Sequence, residues 1–272
     1  MYNYDELTKD SQFLIGCGYR VEYIGTTVYG KRIPAFLRGQ KPHTLIVGGT
    51  HAREVVTCKL VVDLAKGYKG EGICFLPMLN IDGVEIVEKG LSAVPEKYLQ
   101  EVQRATNGQD LRLWKANGRC VDINVNYDAD WGSGKSNIFL PSSENYVGRA
   151  PESEPETVAS VDLVRKYGFD CLISYHAKGE VIYAGYGGVK NEIHANALSE
   201  LIGYPHREAK SSAGGFKDWF IKKGFGDGYT IEVGKDEYNH PLDENAYPEI
   251  YSQNKDICAL LESKEWISTK NL

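Results

Sequence analysis

Short apolar runs that end in ionisable residues constrain this chain more than any other feature. His43 to Gly49 (H-T-L-I-V-G-G) reads as a buried strand that turns at its glycines into Thr50-His51. Cys171 to Ser174 reads as a second, leading into Tyr175-His176, and Tyr229 to Val233 as a third, carrying Glu232. Gly72 to Leu79 and Val181 to Tyr183 complete the set of apolar runs. Between them the spacing predicts helices. Arg53 to Tyr68 carries Val55, Val56, Leu60, Val61 and Leu64, and Gly67 ends it. Pro155 to Tyr167 opens on a proline and closes before Gly168, and Pro248 to Leu261 forms a last helix. Strands alternating with helices predict an α/β fold with a parallel or mixed sheet, and such folds place their chemistry at the carboxyl ends of buried strands.

Length and charge narrow the class. At 272 residues the chain suits one α/β domain, and no linker, repeat or low-complexity tract divides it. The formal net charge of −6 leaves no basic face for nucleic acid. Of the six cysteines, Cys58, Cys74, Cys120 and Cys171 sit among apolar residues and are expected to be buried and reduced. With no apolar run long enough to span a bilayer and no leader-like start, a soluble, cytoplasmic chain is expected, with a spore-related compartment as the variant.

The polar strand ends carry the chemistry. In His51-Ala52-Arg53-Glu54 an imidazole and a carboxylate stand three apart at a strand mouth, so one turn of chain brings both toward one ion. A second, distant His and an open fourth position would make a catalytic zinc arrangement. Singly, each piece has an ordinary reading: a helix cap for His51, a core histidine for His176, a structural ion pair for Glu232. A carboxylate inside an apolar strand does cost several kcal/mol unless it is paired or used.

Taken together, these residues resemble the zinc carboxypeptidase family. Gly49-Thr50-His51-Ala52-Arg53-Glu54 is similar to its first zinc motif. Leu79-Asn80-Ile81-Asp82-Gly83 is similar to its N-P-D-G turn, with Ile81 in place of proline. Leu113-Trp114-Lys115-Ala116-Asn117 and Val121 to Tyr127 resemble its W-(R/K)-x-N and D-x-N-R-N segments, Ser174-Tyr175-His176 its second zinc motif, and Thr230-Ile231-Glu232-Val233 its catalytic strand. Within the family, Ser153 to Thr157, His176 to Tyr183, Phe216-Lys217-Asp218-Trp219-Phe220 and Asn239-His240-Pro241-Leu242 resemble bacterial enzymes that cut γ-D-glutamyl–diamino acid bonds of peptidoglycan peptides. The resemblance implies a mixed, mostly parallel eight-stranded sheet flanked by helices. It implies a single Zn²⁺ held by His51, Glu54 and His176, with Glu232 as general base. Arg53 and Lys115 would stabilise the developing charge, and Asn124 would hold a substrate carboxylate. The implied partner is a small peptide or muropeptide.

Two departures shape the expectation. Val125 stands where the family carries the arginine that clamps a terminal carboxylate, so Arg149, Lys178, Arg207 and Lys210 become the candidate cations. The segment Glu208 to Ala213 lacks the tyrosine found upstream of the catalytic strand in digestive members. The implied reaction is hydrolysis of a γ-D-glutamyl–diaminopimelate bond. The alternatives are a carboxypeptidase or deacylase on another acylated amino acid, and a silent zinc- or peptide-binding protein. Ala129 to Ser136 fits a relaxed P-loop, but Pro141 follows too soon for the helix a phosphate site needs. His43, His194, His206 and His240 are expected at the surface or in turns.

Overall fold

The computed structural model of the chain describes residues 1–209 and 213–269. It opens with a helix, α1 (Tyr4–Gly16), whose first turn is capped by Asn3 accepting from the Glu6 amide. Strands β1 (Arg20–Thr26), β2 (Arg32–Leu37) and β3 (Thr44–Val47) follow, then α2 (Val55–Gly67), β4 (Ile73–Leu76), α3 (Ile81–Lys89) and α4 (Glu96–Thr106). A long stretch of turns leads to α5 (Pro155–Tyr167), β5 (Cys171–His176), β6 (Val181–Ala184), α6 (Glu192–Ile202), β7 (His206–Arg207), α7 (Phe216–Lys222) and β8 (Asp227–Glu232). Three short helices close the chain: α8 (Tyr247–Asn254), α9 (Ile257–Leu261) and α10 (Lys264–Ser268).

One eight-stranded sheet runs β1-β2-β4-β3-β5-β8-β6-β7. Neighbours β4/β3, β3/β5, β5/β8 and β6/β7 are parallel, and the other pairs are antiparallel. Strands β3, β4 and β5 are buried at every residue, which is why their sequences read as unbroken apolar runs. The edge strand β1 has only exposed and half-buried residues and gives no such signal. From β3 the chain crosses to β4 on one side, while β5 lies on the other. The carboxyl ends of β3 and β5 therefore flank a switch in strand order, where α/β sheets open a crevice.

A main core fills both faces of the sheet, and a smaller one gathers Ala52, Ile86, Val102, Trp114 and Cys120. The second core anchors the turns that carry Lys115 and Asp122 toward the strand ends. The four cysteines expected inside are all buried, and none is in a disulfide among the described residues. The predicted α5 appears with its expected bounds, Pro155 in the first turn and Gly168 left-handed at its end. The last helix departs from expectation. It divides at Lys255–Asp256, where Asn254 is buried and tied to Tyr175, and the Asp256 carbonyl starts a new turn. Among the described residues no helix is long and apolar enough to cross a membrane.

Candidate metal and catalytic site

Three carboxyl strand ends build the site. Gly48 and Gly49 turn the chain out of β3. Gly49 is left-handed (φ +62°), and a side chain there would meet Cys58 Sγ at 2.5 Å, so only glycine passes this point. His51, Ala52 and Arg53 then form a turn ahead of α2, and Glu54 occupies its N-cap. The helix thus starts two residues later than the spacing predicts. Glu54 makes no side-chain cap; its carboxylate is turned to the histidines instead. On the next strands His176 and Glu232 are direct register partners across β5/β8, so their side chains emerge side by side.

The geometry at this junction is that of a cation site. His51 Nδ1 lies 2.8 Å from Glu54 Oε1, and His176 Nδ1 lies 3.2 Å from Glu54 Oε2 and 3.0 Å from His51 Nδ1. The three donor groups converge within 4.8 Å and are buried. Three Lewis bases facing one point repel unless a cation or shared protons sit between them. Of the outer ring nitrogens, His176 Nε2 meets Ser174 Oγ at 3.2 Å, and His51 Nε2 lies 3.3 Å from Asp122 Oδ1 in an ion-pair contact without an aligned hydrogen bond. Imidazoles anchored on one nitrogen with the other turned inward are the usual form of metal-binding histidines. Two histidines and one carboxylate are the donor set of a catalytic zinc with an open position. Chain residues and donor chemistry both fit Zn²⁺.

Electrostatics follow from the packing. Burial alone would raise the Glu54 pKa, but the two imidazoles hold it well below the usual carboxylate range. Burial opposes a charged His51, yet Glu54 and Asp122 together outweigh it and the pKa rises. Asp122 is fully buried, and Lys115 (Nζ to Oδ2, 2.9 Å) and His51 keep it ionised against that burial. It also accepts from the amides of Asn124 and Asn145. Glu232 goes the other way. Burial, with Glu54 adding to it against the pull of His176, pushes its carboxyl up to about 7. A carboxylate beside a metal site that titrates near neutrality is suited to general-base work.

A cavity of about 540 Å³ opens over these groups, lined by His51, Lys115, Asn124, Val125 and Glu232. Arg53 is not part of this lining; its guanidinium is on the Leu113 carbonyl and on Glu144, each at 3.2 Å. Asn124 spends its side-chain oxygen on the Phe216 amide, which docks α7 against the site. The four candidate cations separate. Arg207 lines the cavity. Arg149 does not; it lines a distinct cavity of about 90 Å³ with Glu101 and Arg119. Lys178 is held by Asp236 outside the cavity lining. Lys210 lies outside the described residues.

Of the histidines expected at the surface or in turns, His194 needs a correction, while His240 does lie in a bend. His194 is buried, with Nδ1 2.6 Å from Asp227 and Nε2 3.0 Å from the Trp266 carbonyl, and its ring stacks on Trp266. Apolar packing and a full set of partners make it a core residue. His240 is half-buried within the field of Glu54, Arg53, Lys178 and His51. Burial pushes its pKa down to about 4 and keeps it neutral. The only sequence sign of that placement is the Asn239-His240-Pro241-Leu242 resemblance. Lys217 and Asp218, which line the cavity, were likewise legible only as part of a resembling stretch. The Ala129 to Ser136 segment forms turns with no helix after it, as the P-loop test requires for rejection.

Comparison with known proteins agrees with this geometry. A family profile described as zinc carboxypeptidase matches residues 19–257. The chain is 28% identical over 254 residues to a protein named γ-D-glutamyl-L-diamino acid endopeptidase 1 of Lysinibacillus sphaericus, covering 85% of this chain and 64% of that protein. The chain therefore spans less than two thirds of that relative's length. Bovine thrombin-activatable fibrinolysis inhibitor, solved with a tick carboxypeptidase inhibitor, superposes with a TM-score of 0.78 at 19% identity, over 100% of this chain and 98% of that one. Murein-tripeptide amidase MpaA of Escherichia coli O157 superposes with a TM-score of 0.62 at 18% identity, over 89% and 90% of the two chains. At those identities the structures speak for the fold, and the family rests on the profile match over most of the sequence. With its His-Glu-His cluster at the strand ends and this match, the chain belongs to the zinc carboxypeptidase family.

Proposed function

We propose that this chain hydrolyses an amide bond in small peptides, and that its substrate is the γ-D-glutamyl–diaminopimelate bond of cell-wall peptides. One observation carries the reaction. A His-Glu-His donor set and a carboxylate with a pKa of about 7 emerge side by side at the mouth of an open cavity. The substrate class rests on the named endopeptidase relative and on Val125 in the cavity wall.

His51, Glu54 and His176 would hold the Zn²⁺. When bound, that ion lowers the pKa of water toward about 7 and polarises a carbonyl. Glu232 takes the proton of the attacking water and delivers it to the leaving nitrogen, which its near-neutral pKa allows in both directions. Asp122 fixes the His51 ring and keeps Lys115 charged at the cavity wall. Lys115 and Arg53 supply positive charge where the carbonyl oxygen becomes negative, Lys115 as a point charge without a bidentate fork.

The test is product analysis. Zinc-loaded protein is incubated with muropeptide tripeptide and tetrapeptide, and the fragments are identified by mass spectrometry. Scission between γ-D-glutamate and diaminopimelate supports the proposal, and release of C-terminal residues from ordinary peptides alone contradicts it. A carboxypeptidase or deacylase on other acylated amino acids is the second reading, favoured by Arg207 lining the cavity as a cation for a terminal carboxylate. The same assay separates the two.

A further inference from the structure

The glycine-rich turn that fails as a P-loop leads into an unusual surface. Ile138, Phe139 and Leu140 are 38%, 60% and 73% exposed, and Pro141 after them is exposed as well. Among the described residues no other exposed large apolar side chains are adjacent in sequence. Single exposed apolar residues are ordinary, whereas a contiguous run that the fold holds outward marks a binding surface.

The fold does hold this run in place. The Ile138 amide donates to the Asn145 carbonyl (2.9 Å), and the Ile138 carbonyl accepts from the Val147 amide (3.1 Å). Trp131 Nε1 donates to the Val147 carbonyl at 2.9 Å, and its ring meets the Phe139 ring edge-on at 6.5 Å. Gly132 lies against the Phe139 ring, which a side chain there would approach to 3.4 Å. Phe139 is thus supported on one side and keeps the other in water.

The run is continuous with the catalytic cavity. Ser136 and Asn137, which precede it, and Asn145, which Ile138 bonds, all line that cavity. The Asn145 amide donates to Asp122 Oδ2 (3.1 Å), the carboxylate that faces Lys115 and His51. Val125 belongs to the same lining and brings no charge to hold a terminal carboxylate and end a substrate there. A peptide can therefore pass Val125 and continue over Ile138 to Leu140, a span of at most about 10 Å, or three extended residues.

We propose that Ile138, Phe139 and Leu140 form a platform for the leaving half of a longer peptide, the residues beyond the one that supplies the scissile nitrogen. The three side chains carry no charge, so the platform takes small apolar residues. It rests on the peptide-hydrolase reading above and adds that cleavage is internal, with longer leaving halves favoured.

Binding of leaving-half products to the zinc-loaded protein tests this without cleavage. The probes are diaminopimelate, diaminopimelyl-D-alanine and diaminopimelyl-D-alanyl-D-alanine, titrated by calorimetry. The fluorescence of Trp131, the one tryptophan that is not buried, reports the place of binding. Kd should tighten about fourfold for each alanine methyl taken from water, on the order of tenfold over the series. Phe139→Ser and Leu140→Ser, both at exposed positions, should remove that gain and leave zinc content and the Kd of diaminopimelate unchanged. Equal affinities along the series, no binding of any probe, or serine variants that keep the gain would overturn the proposal. So would vesicle binding or dimerisation that the serine variants lose while the length series stays flat. Rates on γ-D-glutamyl peptides with the same leaving halves separate the two readings. Cleavage that ignores length leaves the hydrolase reading and removes the platform. Length-dependent binding with no γ-D-glutamyl peptide cut does the reverse.

Discussion

Replacing Asp122 by Asn probes the joint between folding and chemistry. The substitution keeps the shape and removes the charge that Lys115 faces at 2.9 Å and His51 Nε2 at 3.3 Å. Asp122 has no exposed side-chain surface and Lys115 keeps 16% of its own, so a buried cation is left with an uncharged partner. Removing one partner of a buried pair costs about 3–5 kcal/mol, and the residual exposure of Lys115 puts this case near 3. For a chain of this size that is a fall in Tm of roughly 6 °C. The asparagine also presents an amino group where amides and His51 expect an acceptor, so the ring of His51 loses its anchor. Loss of such a partner lowers metal affinity about 10- to 100-fold. Because the folded-state pKa of Asp122 lies far below its ordinary value, its stabilisation is present above about pH 4 and fades only in stronger acid. The part of the deficit that comes from Lys115 should therefore be the same at pH 6 and pH 8, and the part that comes from His51, whose pKa Asp122 helps to raise, should make the total larger at pH 6. Thermal unfolding of the apo protein and zinc affinity by chelator competition test both effects. A Tm within 1 °C of the parent together with unchanged zinc affinity would refute the reasoning.

Other consequences can be checked separately. Glu232→Gln should retain zinc and lose roughly 10²- to 10⁴-fold in kcat, and in the parent enzyme kcat/KM should fall as pH drops through a limb at or below about 7, read from a pH–rate profile. Glu156 is buried, and burial lifts its pKa from 4.5 to about 7 against the hydrogen bonds it accepts. The folded state thus holds a proton the unfolded chain releases, so stability falls by up to about 3 kcal/mol between pH 4.5 and 7, and Glu156→Gln should flatten that slope in urea titrations. Adding zinc at about 1,000 times its Kd to the apo protein should raise stability by roughly 4 kcal/mol, measured as a shift in Tm.

Much of this site was legible because its chemistry is local in sequence. His51 and Glu54 are three residues apart, and His176 and Glu232 each end a run too apolar to carry an idle polar group. The sheet register then supplies what spacing cannot, that His176 and Glu232 are neighbours. The parts that were not legible depend on distant contacts. Arg149 and Arg207 look alike as isolated cations, and only the fold puts one in the cavity and the other beside Glu101. Lys217 stands between Phe216 and Asp218 on a seven-residue helix, too short to show which face is buried. His194 reads as a surface residue until α10 brings Trp266 over it. Strand β1 (R-V-E-Y-I-G-T) carries no strand signal in its sequence because its edge position leaves no apolar run.

Zinc content measured on the purified chain and on its His51→Ala and His176→Ala variants tests the central claim most directly. The account predicts about one zinc per parent chain, removed by chelator together with peptide cleavage, and little or none in either variant, as expected for a site of three protein ligands. Full zinc occupancy in both folded variants, or a parent chain that binds no zinc, would contradict it.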